Sequence, residues 1–257
     1  MKEWASRFIV FTIISILSVP QGWGADQAPY YRFWRGFKRI DISYPNFVSG
    51  LNKVFVPATT ENGAGKGLIA YLPVLPPLGK TDASEKITIF PDEVALVVYR
   101  DEQSYKKIGA TPAGIAYTQS HWNYFERAKS SSKVPGLYSG AVAFDQAYDL
   151  LGGGVDWRSG VSRVAFYPRE TNVGDYEYLL SVKRNLDWMQ NKTKSRSGIR
   201  AMVALVAHDY IIIFQNTRTG VEALKLDDTA LFSYELQKQV RGNTTLAPNG
   251  GIDVIFK

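Results

Sequence analysis

The chain has 257 residues, with 30 Lys and Arg against 24 Asp and Glu, and no cysteine. Without a thiol there can be no cysteine nucleophile, zinc–thiolate site or iron–sulfur cluster, and a chain of this length must be held by its core alone. The formal net charge of +6 is mild: it favours acidic partners and calls for no nucleic acid.

Lys2 and Arg7 precede a predominantly apolar run from Phe8 to Val19, and Pro20 to Ala25 closes it with small residues. This is the pattern of a cleaved signal peptide over residues 1–24, processed near Gly24, and it predicts a secreted or periplasmic protein. The run of 12 residues is well short of the roughly 20 that span a bilayer, so no membrane span is expected after cleavage.

Tyr30 to Phe37 is aromatic and alternating, which predicts a strand, and Tyr44-Pro45-Asn46 opens an apolar-periodic stretch from Phe47 to Val56 that predicts a helix. A glycine-rich turn, 61–67, leads into a strand from Leu68 to Leu75, and the apolar run Val94 to Tyr99 predicts a buried strand over Asp92 to Arg100. Ser104 to Ala128 reads as a long helical stretch broken or kinked at Pro112 and Gly114, and Gly140 to Leu151 as the strand that closes the first half. The second half repeats the order. Gly160 to Tyr167 predicts a strand, Asp175 to Gln190 a helix, Arg200 to Val206 and Tyr210 to Gln215 a hairpin turning at His208-Asp209, Asp228 to Val240 a capped helix, and Ile252 to Phe256 a last strand.

Each half therefore runs β-α-β-β-α-β: 25–151, a short glycine-rich join over 152–159, then 160–257. This order resembles the ferredoxin-like, dimeric α+β barrel superfamily, and the resemblance is one of topology over nearly the whole mature chain. It implies an α+β fold of two ferredoxin-like halves in tandem, with antiparallel sheets packed as a pseudo-dimer. The superfamily includes small monooxygenases, muconolactone-type isomerases, and chlorite-dismutase-like and dye-decolorising haem proteins, so topology alone does not select a function.

Few constellations carry chemistry. Gly63 to Gly67 lacks the spacing and the Ser or Thr of a phosphate loop and precedes a strand, which reads as a turn. No nucleophile elbow, His-Glu-x-x-His motif or paired acidic motif is present. Of two histidines, His121 lies with Tyr117 and Trp122 on an aromatic helix face, where it could bond a neighbour, take a proton or ligate haem. Strand alternation groups Tyr31, Phe33, Arg35 and Phe37 on one face and Arg32, Trp34 and Gly36 on the other; the aromatic residues of this strand, Trp34 included, are with Arg35, Tyr71 and Tyr99 the candidate lining of a cleft between the sheets, Arg35 anchoring an anion.

The basic stretch from Lys183 to Arg200 suits a helix end and could also meet an acidic partner. Two functions compete. The first is a non-catalytic exported protein, without cofactor, that binds a partner protein or a small apolar or anionic ligand at Tyr31, Phe33, Arg35, Tyr71, Tyr99, His121 and Trp122. The second is a haem-dependent or cofactor-independent oxidoreductase or isomerase with His121 as ligand or base and Tyr117 and Arg35 orienting substrate. In the chlorite-dismutase-like proteins the resemblance places the iron-binding histidine in the second half, where this chain has only His208.

Overall fold

The computed structural model describes residues 29–63, 65–76, 90–157, 159–195, 198–226 and 236–240. The predicted signal segment, Asp228 and the strand expected over Ile252 to Phe256 lie outside them. Among the described residues no helix is long and apolar enough to cross a membrane.

The first sheet holds β1 (Tyr30–Gly36), β2 (Leu68–Val74), β3 (Glu93–Tyr99) and β4 (Ser131–Lys133) in the order β2-β3-β1-β4, all antiparallel. The second holds β5 (Gly136–Leu137), β6 (Gln146–Asp149), β7 (Val161–Pro168), β8 (Ile199–Val206), β9 (Tyr210–Thr217) and β10 (Leu236–Val240) in the order β10-β7-β9-β8-β6-β5. Counted within each half, the four main strands lie in the same order, fourth-first-third-second. The protein is a tandem ferredoxin-like α+β fold.

Three expectations need correction. Gly140 to Leu151 does not close the first sheet: that place belongs to β4, whose Ser-Ser-Lys sequence carries no apolar alternation, while β6 pairs with β8 in the other sheet. Leu236 to Val240 is not a helix but a strand beside β7. Residues 218–226 before it are irregular, and Leu224 and Leu226 reach back into the core beneath the second sheet. The helical stretch expected over Ser104 to Ala128 does break at Pro112, into α3 (Glu102–Ala110) and α4 (Pro112–Ser120), but it ends early, in a short 3-10 turn, His121–Asn123, and does not reach Ala128. Thr111 ends the first in extended conformation and caps the second by accepting from the Gly114 N–H at 3.0 Å, which suits the Pro112 that follows.

The first helix is longer than its periodicity suggested: α1 (Tyr44–Gly50) continues through a π-helical turn, Leu51–Phe55, into α2 (Val56–Gly63). Phe47, Leu51 and Phe55 bury one face of it against the first sheet. In the second half, α5 (Asp175–Ser195) covers its sheet with Tyr178, Val182, Leu186 and Met189, all fully buried.

Between the sheets lies a dry core. Tyr31 and Phe33 of β1, Leu72 of β2 and Leu96 of β3 meet Val164, Phe166, Val203, Leu205 and Phe214 of the second sheet. The rings of Phe33 and Phe214 pack edge to face at 5.4 Å, and Trp157, from the join, donates its indole N–H to the Tyr31 hydroxyl at 3.4 Å. The inter-sheet cleft expected around Tyr31, Phe33 and Arg35 is thus filled by side chains. Arg35, 9% exposed, is paired with Asp145 at 2.8 Å and bonded to Ser131, so its charge is compensated within the fold and clamps β1 to the loop that crosses between sheets.

Candidate functional site

The opposite face of the first sheet is where space remains. Alternation turns Arg32 and Trp34 of β1, Tyr71 of β2, and Ala95, Val97 and Tyr99 of β3 toward the helices, and a cavity of about 220 Å³ opens between them and α2, α3 and α4. Tyr117, Thr118, His121 and Trp122 form its helical wall, and Phe55 and Thr59 its side. Gly63, Gly109 and Gly114 also line it; a Cβ at Gly63 would run into Leu68 and one at Gly114 into the Ile108 carbonyl, so both allow close packing at the cavity's edge. The π-turn ends at Phe55, a distortion of the kind often found at functional positions.

His121 is the titratable base of this wall. Its ring centroid lies 4.6 Å from that of Phe55, 4.8 Å from Tyr117 and 5.1 Å from Trp34. Burial holds its pKa below the usual 6.5, so the imidazole is neutral at pH 7. Nδ1 lies 3.1 Å from the Tyr117 carbonyl. A carbonyl can only accept, so Nδ1 carries the proton and Nε2 the lone pair.

Behind Trp34 sits a fully buried acid that sequence reading passed over. Glu93 Oε2 accepts from the Trp34 indole N–H at 2.7 Å and Oε1 from the Tyr71 hydroxyl at 3.3 Å. Gly36, its cross-strand partner, gives this cluster room: a Cβ there would stand 2.3 Å from the Phe125 ring and 2.8 Å from the Trp34 indole nitrogen. Burial raises the Glu93 pKa to about 7 against the two hydrogen bonds that lower it. Further along the wall, Thr59 donates to the Phe55 carbonyl at 2.9 Å and therefore accepts from Tyr117, whose oxygen is 2.5 Å away. Burial pushes the hydroxyls of Tyr71 and Tyr117 well above their ordinary range, so both remain neutral donors.

The Glu93 geometry has a thermodynamic consequence. The folded protein keeps a proton that the unfolded chain releases near pH 4.5, so stability falls as pH rises from about 4.5 to 7, by about 3 kcal/mol in all. Glu93→Gln stays neutral throughout. Its melting temperature should match that of the parent near pH 4.5 and exceed it at pH 8; a difference that does not change with pH would mean that Glu93 is ionised in the fold at all these pH values.

Of the residues singled out in the sequence, Tyr71, Tyr99, Tyr117, His121 and Trp122 meet at the cavity, whereas Tyr31, Phe33 and Arg35 belong to the inter-sheet contact. Trp34, grouped with the aromatic residues of its strand, lines the cavity too, and sequence reading missed Arg32, Thr59 and Glu93. For Glu93 one signal was available, a lone acid at the head of the apolar run 94–99. His208 stacks on Phe144 at 3.8 Å in the second half, away from this cavity. Among the described residues no group of three or more His, Asp or Glu side chains could hold a metal ion.

No family model and no curated protein matches the chain. Several solved structures resemble it. A monooxygenase candidate from Fusobacterium nucleatum is 10% identical with a TM-score of 0.40, over 83% of this chain and 91% of that one. A monooxygenase candidate from Lactobacillus acidophilus is 11% identical with a TM-score of 0.36, over 83% and 93%. A chlorite dismutase candidate is 10% identical with a TM-score of 0.34, over 74% and 79%.

Proposed function

We propose that the chain is a cofactor-independent oxidoreductase that oxidises a small, planar, electron-rich hydroxyaromatic in the cavity of the first half. The observation that carries this reading is His121: a neutral imidazole with its Nδ1 proton committed to a backbone carbonyl, in the wall of an aromatic cavity. An aromatic substrate stacks against Trp34, Tyr99 and Trp122, and Nε2 accepts its hydroxyl proton. For a hydroquinone the reaction balances with dioxygen as co-substrate. The phenolate gives up two electrons, dioxygen takes them with the two phenolic protons, one by way of His121, and the products are quinone and hydrogen peroxide. Neutral, hydrogen-bonding Tyr71 and Tyr117 orient the second oxygen of the ring.

The non-catalytic reading placed its ligand in or near the space between the sheets, where Tyr31, Phe33 and Phe214 pack with their neighbours. Haem is a poor fit for the remaining cavity, whose 220 Å³ lies below the roughly 300–1,000 Å³ of sites for drug-sized ligands. Rings of Phe55, Tyr117 and Trp34 also crowd His121, leaving little room for a macrocycle beside it.

The test is oxygen uptake by purified protein with 1,4-dihydroxynaphthalene, measured above spontaneous oxidation, with catalase returning half of the oxygen consumed. Saturable binding with no acceleration would overturn the reading in favour of a binding protein. A Soret band that forms with added haem and is lost in His121→Ala would overturn it in favour of a haem protein.

A further inference from the structure

Arg32 is the cation of the cavity wall. It shares a face of β1 with Trp34, so the two positions lie about 7 Å apart along the strand. Its Nε donates to Ser132 at 2.9 Å, one Nη reaches the Tyr30 hydroxyl at 3.4 Å, and the guanidinium lies over the Tyr105 ring at 4.8 Å. These contacts hold the side chain in place, and all of them are to neutral groups. Among the described residues Arg32 has no carboxylate partner, in contrast to Arg35, three residues further on and on the opposite face of β1, which is paired with Asp145. Glu93 is not a substitute: both its oxygens are engaged by Trp34 and Tyr71.

A pre-positioned guanidinium without a counter-ion, at the edge of an aromatic cavity, is an anion receptor. Its planar fork suits a carboxylate. Trp34 shares a strand face with Arg32 and its ring is 5.1 Å from that of His121, so a flat ring lying on Trp34 can reach toward both. We infer that Arg32 is the specificity-determining residue of this cavity and that the ligand is a hydroxyaromatic carboxylate, its carboxylate on Arg32 and its hydroxyl toward His121. This rests on the proposed function only for the role of the hydroxyl; the carboxylate preference is a property of binding.

The experiment compares 6-hydroxy-2-naphthoate, whose carboxylate and hydroxyl stand at opposite ends of the ring system, with 2-naphthol by isothermal titration calorimetry at pH 7.5. The wild-type protein should bind the naphthoate about 10–100-fold more tightly, the range expected for a hydrogen-bonded charge pair. Arg32→Met should bring that ratio near one while leaving 2-naphthol affinity within about twofold, because the methionine stem keeps the apolar contact with Tyr105. The ratio is internal to each variant, so a general loss of stability does not imitate the result. Equal affinities in the wild type, or a preference that survives Arg32→Met, would overturn the inference. A preserved preference in a protein that consumes no oxygen would defeat the proposed oxidation and leave the anion site standing.

Discussion

His121→Ala is expected to lower the rate of hydroquinone oxidation by about 10²–10⁴-fold, the usual contribution of a positioned general base, while the protein stays folded. The residue sits in the short turn after α4 and makes its hydrogen bond to that helix's own backbone, so its loss removes ring packing against Phe55 and Trp34 but no hydrogen bond between elements. The pH profile adds a second readout. The base works only when neutral, and burial lowers its pKa, so the acid limb of kcat/KM should fall below pH 6.5 and the rate should be flat through neutrality. His121→Phe keeps the ring packing against Phe55 and Trp34 and removes only the base. Wild-type turnover in His121→Phe would show that the imidazole takes no proton.

Phe33→Ala is expected to cost about 3–5 kcal/mol, a large part of the roughly 5–15 kcal/mol that holds a domain folded. Phe33 is fully buried and sits between the sheets, with its ring 5.4 Å from that of Phe214. A cavity there removes contacts from both halves at once. Urea unfolding should therefore shift to a lower midpoint as a single transition, followed identically by tryptophan fluorescence and far-UV circular dichroism. Two resolved transitions, only one of them moved by the substitution, would show that the halves fold independently and that the inter-sheet contact is not a shared core.

Much of this architecture is written in local chemistry. The apolar run Val94 to Tyr99, the hairpin from Ile199 to Thr217 and the periodic face of Asp175 to Ser195 can be read directly, because each element buries a surface whose period matches its own geometry. So can the break at Pro112, where a missing N–H and a threonine cap end one helix and start the next. Elements with little intrinsic pattern were not legible. Ser131 to Lys133 is a strand only because β1 offers it a free edge, and Gln146 to Asp149 pairs with β8 because the chain crosses between sheets.

The site divides along the same line. Alternation correctly placed Tyr31, Phe33 and Arg35 on one face of β1 and Arg32 and Trp34 on the other. Periodicity states which residues share a face, but it does not state what each face meets. That is decided by volume: Phe33, Phe214 and their neighbours pack between the sheets, whereas a cavity remains between the other face of the first sheet and its helices. The sequence alone determined the cysteine-free chemistry, the strand and helix periods and the aromatic supply. Only tertiary packing decided that His121 is buried and neutral, that Glu93 keeps its proton to about pH 7, and that of two arginines on one strand Arg35 finds an acid while Arg32 does not, because burial and charge pairing depend on residues brought together from distant parts of the chain.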